Sequence, residues 1–251
     1  MAIKQIDAKI EKIEELSPTV KHFIINLNDN IEMKAGQFVN LSFEENNETC
    51  KRPYSIASSP SFNQKTGKIE LCIKLVENGF FTPKLWNKKE NDIVHIMGPL
   101  GIFTLEKSNP EKKLVFIGTG TGIAPLRSMI KEELEKQANQ EKIDNIESEA
   151  VTINREIMLI FGVRHENEIL YREEFEKLEK ENPNFKYLEI VSRPEKTWIG
   201  RTGHVQDNFE SIDPLNSQVY MCGLPQMVEG AKQKLLEMGL QESDIHNEIY
   251  K

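Results

Sequence analysis

From residue 1 to about 105, apolar and polar positions alternate with a period of two, the rhythm of strands that bury one face. The candidate strands are 8–16, 20–27, 37–43, 52–58, 68–76 and 92–97. Asn28-Asp29-Asn30 and Gln64-Lys65-Thr66-Gly67 supply turns between them. Short strands separated by turns predict a barrel or a sandwich. From about residue 112 the rhythm changes. Leu114-Val115-Phe116-Ile117 and Ile157-Met158-Leu159-Ile160-Phe161 are unbroken apolar strands, with further strands at 186–191 and 218–222. Helical stretches are read over about 123–137, 169–182, 203–209 and 225–238, and Gly239 is placed as the left-handed residue that ends the last one. Alternation of strands and helices predicts a parallel sheet with helices on both faces. The fold class is therefore all-β followed by α/β, divided as 1–108 and 109–251. Residues 137–155 are polar, long for a connection, and expected to be mobile.

Composition narrows the classes. The chain has 251 residues, 38% hydrophobic and 29% charged, which suits packed domains rather than global disorder. A net charge of -8 argues against a nucleic-acid binder. There is no apolar run of the roughly 18 residues that a membrane span needs. Met1 to Asp7 contain no apolar signal core, so no secretory signal is read. The three cysteines, Cys50, Cys72 and Cys222, show no CxxC spacing. They fit a reducing compartment, and a cytoplasmic location is expected. An iron–sulfur cluster normally takes four cysteine ligands, so any cluster step is expected on another protein. His22, His95, His165, His204 and His246 have no metal-ligand spacing, and no metal site is read.

Two segments could carry chemistry. Gly118-Thr119-Gly120-Thr121-Gly122-Ile123-Ala124-Pro125 follows a buried strand and opens a helix. Glycines there let backbone N–H groups approach a diphosphate at the positive helix end. The spacing is GxGxGxxP rather than GxGxxG, and there is no clear acidic residue at the end of the next strand, so a tight turn without a ligand also fits. In Arg52-Pro53-Tyr54-Ser55, Pro53 favours extended backbone, which puts Arg52 and Tyr54 on one face and Ser55 on the other. A guanidinium can clamp phosphate and a tyrosine ring can cover a flat heterocycle. Taken alone, the tetrapeptide fits an ordinary strand with an exposed arginine and a half-buried tyrosine better.

Together these segments, with three more motifs in the same order, make the chain similar to the ferredoxin–NADP+ reductase superfamily over nearly its whole length. The resemblance implies an FAD-binding antiparallel β-barrel followed by a parallel-sheet nucleotide-binding α/β domain. It implies that Arg52 contacts FAD phosphate, that Tyr54 packs on the isoalloxazine and that Ser55 lies near flavin N5, with Pro53 between them. Leu71-Cys72-Ile73 resembles the strand along the flavin; Cys50 and Cys72 are otherwise read as structural. Gly79-Phe80-Phe81-Thr82, followed by Leu85, resembles the second flavin motif, in which Thr82 and nearby N–H groups hold the diphosphate. Gly98-Pro99-Leu100-Gly101-Ile102-Phe103 resembles the GPxGxF segment at the junction.

In the second half, Gly120, Thr121, Gly122 and Pro125 match the nicotinamide-diphosphate segment. Cys222, Gly223 and Met227 match a CGxxxM element whose cysteine lies beside the nicotinamide. Ser192, Arg193 and Arg201 stand where NADP-preferring members bind the 2′-phosphate, with Arg164 as a helper. A dianionic phosphate needs cationic donors, whereas NAD's ribose hydroxyl suits a carboxylate. Tyr171 is read as a packing residue of its helix. Glu248 and Tyr250 resemble an ExY tail whose aromatic residue covers the flavin; the extra Lys251 departs from it, and a frayed tail is the other reading. The implied catalytic set is Ser55, Cys222, Glu248 and Tyr250. The implied activity moves hydride between NADP(H) and FAD, and single electrons to or from ferredoxin or flavodoxin, in a monomer. The rival within the class is an NADH-dependent oxygenase reductase component, a cytochrome b5-type reductase or a free-flavin reductase. A non-catalytic relative of the fold would be colourless.

Overall fold

The computed structural model describes residues 3–45, 48–105, 108–144 and 154–250. The first half forms six antiparallel strands: β1 (Lys4–Ser17), β2 (Val20–Asn26), β3 (Phe38–Glu45), β4 (Glu48–Ser55), β5 (Lys68–Lys74) and β6 (Ile93–Leu100). Their order is β4-β3-β6-β1-β2-β5. The sheet closes on itself through a bridge between Ile56 and Leu71 and a hydrogen bond from Ala57 N to Glu70 O (2.8 Å). Closure removes both free edges, so the alternation that suited a barrel or a sandwich resolves to a barrel. Ile10, Phe23, Ile25, Val39, Leu41 and Leu71 fill it.

Helix α1 (Pro60–Thr66) lies between β4 and β5, where the sequence reading placed only a turn. Its signals are nevertheless local. Ser59 caps the helix by accepting from Phe62 N, Pro60 sits in the first turn, and Gly67 ends it in the left-handed conformation (φ +69°). A short helix, α2 (Thr82–Trp86), follows β5.

The second half is a parallel sheet of β7 (Lys113–Thr119), β8 (Ile157–Val163), β9 (Phe185–Val191), β10 (Arg201–Thr202), β11 (Ser217–Gly223) and β12 (Ile245–Ile249). Its order is β10-β9-β8-β7-β11-β12. Helices α3 (Ile123–Asp144) and α4 (Arg172–Glu181) cover the face toward the barrel; α5 (Pro225–Glu237) covers the other. The chain runs outward from β7 to β8 and β9, then returns to place β11 on β7's other side. The strand order therefore reverses between β7 and β11, and their carboxyl ends open a crevice there.

Four readings change. The helix expected over 123–137 runs on to Asp144, taking in part of the stretch read as mobile; 145–153 lie outside the described residues. The helix expected from 169 starts at Arg172, because Tyr171 adopts a left-handed backbone (φ +56°) that cannot continue a helix backward. The stretch 203–209 is a single 3-10 turn, Val205–Asn208, after the short β10. The tail 245–249 is a strand, hydrogen-bonded in register beside β11.

Candidate active site

Ser55 ends β4, opposite Phe38 of β3. It is buried, and its hydroxyl lies between two residues of the chain's tail. Tyr250 donates to Ser55 Oγ (2.7 Å), and Ser55 Oγ stands 3.4 Å from Glu248 Oε2 as its donor. The tail reaches the barrel because β12 pairs with β11, putting Glu248 beside Cys222 and Ile249 beside Gly223. A further bond, Tyr250 N to Gly223 O (3.0 Å), fixes the last turn of chain. Ser55, Glu248, Tyr250 and Cys222 thus meet at the crevice between β7 and β11, although up to 195 positions separate them in sequence.

In this cluster the thiol and the phenol are neutral, and the carboxyl is the group whose charge is opposed by burial. Burial pushes the Cys222 thiol far up, and the nearby Glu248 charge adds to it, so the sulfur stays protonated. Burial does the same to the Tyr250 phenol, with Cys222 adding to it. Glu248 is raised above the usual carboxylate range by burial, against the lowering effect of its bond to Ser55.

The glycine loop packs directly on this cluster. A methyl group on Gly122 would fall 2.2 Å from the Cys222 carbonyl oxygen, so only glycine lets the loop come this close. At Gly120 the backbone is left-handed (φ +53°) and the space beside it is open. Thr119 Oγ1 is buried at the base of the loop with no hydrogen-bond partner among the described residues. It sits against Gly223, where a methyl group would come within 2.4 Å of it. Pro125 is buried in the first turn of α3, and Met227 packs its methyl toward Gly223.

On the barrel side, Tyr54 is half-buried with its ring 5.7 Å from that of Phe81. Burial raises its phenol strongly, so it too stays neutral. Arg52 is exposed and uses one nitrogen on the Lys51 carbonyl (2.7 Å). Thr82, at the start of α2, has a buried hydroxyl that accepts from Val76 N (2.8 Å) and donates to Val76 O (3.2 Å). That closes the loop holding Gly79, whose own N–H bonds to Val76 O (2.8 Å). Leu71 and Ile73 point into the barrel core, whereas Cys72 points the other way, into the seam between the two sheets. There burial pushes its thiol up to about 12, against the effect of the neighbouring Tyr171. Tyr171 is likewise no mere packing residue of its helix; its hydroxyl meets His22 Nδ1 (2.8 Å) across the seam.

At the ends of β8 and β9, Arg193 N bonds to Arg164 O (2.8 Å) and Ser192 N to Val163 O (3.0 Å). Both arginine side chains are exposed, and neither meets a carboxylate at ion-pairing distance among the described residues. Arg201 differs: it is ion-paired with Glu210 and stands 3.4 Å from Asn208 Oδ1. A cavity of about 320 Å³ lies away from the serine cluster, beside β9, and Arg172, Glu189, Trp198 and Arg201 line it.

The chain matches the model of the oxidoreductase FAD-binding domain over residues 7–105 and that of the oxidoreductase NAD-binding domain over 116–233. It is 30% identical to ferredoxin–NADP reductase B of Sorangium cellulosum over 97% of each chain. The chain belongs to the ferredoxin–NADP+ reductase superfamily. It is also 34% identical to the phenol hydroxylase P5 protein of Acinetobacter pittii, over 99% of this chain but only 66% of that one. Among solved structures it superposes on an Amycolatopsis cytochrome P450 reductase with a TM-score of 0.84 at 23% identity, covering 98% of this chain and 70% of that one. It is therefore a flavin- and pyridine-nucleotide-binding oxidoreductase of this superfamily.

The residues present fit both groups. The open, left-handed Gly120 and the unpartnered Thr119 hydroxyl form a cradle at a helix start, suited to a nucleotide's diphosphate. Two neutral phenols, Tyr54 from the barrel and Tyr250 from the tail, lie on either side of Ser55, which follows Tyr54 in the chain and accepts from Tyr250, and aromatic rings of this kind suit a flat heterocycle. Sequence reasoning quoted Thr119 without giving it a role, and it missed Arg127. The signal for Arg127 was present: it is the one charged residue in a helix start, Ile123 to Ile130, that is apolar but for it and Ser128.

Proposed function

We propose that this protein is an FAD-dependent oxidoreductase that moves hydride between NADP(H) and FAD, and single electrons to or from ferredoxin or flavodoxin. The observation that carries the reading is the meeting of Ser55 with Glu248, Tyr250 and Cys222 at the β7–β11 crevice. A bound flavin supplies a two-electron acceptor that can release electrons singly. The chain's own residues do the rest. Arg52 and the amides near Phe80 hold the flavin's phosphates, and Tyr54 and Tyr250 flank its ring. The amides of Gly120 to Gly122 hold the nucleotide's diphosphate. The protonated Cys222 presents a small, uncharged surface to the nicotinamide, and Ser55 and Glu248 supply a donor and a proton reservoir beside it.

The preference for NADP(H) rests on Arg164 and Arg193. Two exposed arginines on adjacent backbone, neither ion-paired among the described residues, would offer a 2′-phosphate charge-assisted, bidentate contacts. A second reading, an NADH-dependent reductase component of an oxygenase, is favoured by the likeness to the phenol hydroxylase P5 protein and by the neutralisation of Arg201 by Glu210.

Anaerobic titration of the purified protein with NADPH and, separately, NADH tests both. The expected result is a flavin absorbance bleached at lower NADPH than NADH concentration. Arg193→Ala should raise the NADPH requirement about 10- to 100-fold, the worth of a charge-assisted contact, and the NADH requirement far less. Bleaching at lower NADH would move the assignment to the second reading. A colourless protein that takes up no added FAD would end both.

A further inference from the structure

The first two turns of α3 are buried on every side, by the sheet beneath and the barrel above, and they carry Arg127 and Ser128. Buried polar groups must find partners, and these find theirs across the seam. Arg127 Nη1 donates to Ala57 O (2.7 Å) and to Glu70 Oε2 (2.6 Å) of the barrel. Its Nε and Nη2 form a fork on Glu174 Oε2 and Oε1 (2.7 and 2.9 Å), which Lys131 also grips (2.6 Å). The guanidinium lies 4.6 Å over the Tyr171 ring. Ser128 Oγ donates to Ser58 O (2.6 Å), and Ser58 Oγ in turn accepts from Glu70 N (3.1 Å).

The placement of these contacts gives them meaning. Ala57 and Ser58 follow directly on Ser55-Ile56, at the flavin side of the proposed site. Arg127 and Ser128 stand one and a half turns after Gly122, on the helix that begins at the nucleotide loop. The network therefore ties the segment bearing Ser55 to the helix bearing the nucleotide cradle, a few positions along the chain from each.

We propose that Arg127, with Ser128, is a positioning residue that fixes the nucleotide loop relative to Ser55 and so sets the geometry of transfer. The inference rests on the function proposed above. Stability alone does not explain the choice of residues, because apolar residues of similar volume often stabilise a buried seam as well as a buried ion pair does. An arginine adds direction: its rigid fork addresses four acceptor atoms on three residues at fixed angles, which neither lysine nor an apolar side chain can do. Transfer between bound groups is sensitive to such placement, with a 1 Å error costing about 100-fold.

The test uses the full chain loaded with FAD and compares Arg127→Lys and Ser128→Ala with the parent. Rapid anaerobic mixing with NADPH or NADH, whichever the parent prefers, gives the limiting rate of flavin bleaching and the apparent nucleotide Kd. The expected result is a limiting rate lower by about 10- to 100-fold in Arg127→Lys and by a smaller factor in Ser128→Ala, with FAD content and nucleotide Kd held within about 3-fold. A deuterated nucleotide should show an isotope effect at least as large as in the parent, because transfer itself is slowed. Hydrogen exchange without nucleotide should rise in 55–60 and in the first turns of α3. Unchanged limiting rates overturn the proposal. So does loss of FAD or of thermal stability with a parental rate in the FAD-loaded fraction, which marks a purely structural role. If Arg127→Lys does not fold, Ser128→Ala decides by the same criteria. A parent flavin bleached by neither nucleotide overturns the functional reading and this inference with it.

Discussion

Tyr250, Ser55 and Glu248 form a line of phenol, hydroxyl and carboxyl, and Glu248 is the member that titrates. Its burial raises it above the ordinary 4.5, so the protonated form persists to higher pH than in an exposed glutamate. The sign for stability follows. Ionising this carboxyl costs more in the folded chain, so its contribution turns unfavourable as pH rises from 4.5 through the folded value. Glu248→Gln should therefore unfold at a temperature equal to or above the parent's at pH 7, with no such advantage at pH 4. The parent's bleaching rate should follow an apparent pKa above 4.5, and the variant should lose that inflection. The same inflection in both would remove Glu248 from the step. At this scale the sequence already displayed the RxYS, glycine-loop, CGxxxM and tail residues, because each is a run of neighbours with its own chemistry. What the sequence did not display is the bond of the Thr82 hydroxyl to the Val76 backbone, six positions back, which is a matter of loop closure.

The glycine loop and the tail strand act as elements. Gly122 and Gly120 should respond differently to alanine. At Gly122 the added methyl meets Cys222 backbone at 2.2 Å, so β11 or the loop must shift, at about 1–3 kcal/mol of overpacking, and the Cys222 end of the site moves with it. At Gly120 nothing lies within 4 Å, and the cost is about 1–2 kcal/mol of left-handed backbone strain. Its methyl would instead stand in the space assigned to the diphosphate. Gly120→Ala should thus lower the melting temperature modestly while weakening nucleotide binding, whereas Gly122→Ala should lower both stability and the bleaching rate. Equal nucleotide affinity in Gly120→Ala and the parent would take the loop out of the binding site. The strand–helix rhythm of the second half was legible because parallel strands are apolar on both faces. Strand β12 was not: its five residues, Ile245–Ile249, are only partly buried and carry little pattern until β11 provides the edge they join. Helix α1 was missed although Ser59, Pro60 and Gly67 announce its ends, because it is only seven residues long.

Across the whole molecule, barrel and parallel sheet share one buried seam, and its charges make the assembly sensitive to acid. Burial opposes ionisation of Glu70, but the His22 and Arg127 contacts outweigh it and hold the carboxyl at about 2. A depressed carboxyl stabilises the fold fully above its ordinary 4.5, and that contribution disappears as pH falls toward 2. Glu70→Gln should lower the melting temperature at pH 7 and reduce its dependence on pH between 4.5 and 2. An unchanged acid limb would show that Glu70 is not ion-paired in solution. The sequence signals the buried cation Arg127 but none of its partners, since the seam joins β2, β5, α3 and α4, and only closure of the barrel brings them together. The central claim is that Ser55 stands where the two cofactors meet. Its most direct test is the limiting rate of flavin bleaching by saturating NADPH in Ser55→Ala. A fall of about 100-fold, with FAD content and nucleotide affinity retained, is the expected result. A rate equal to the parent's would contradict it.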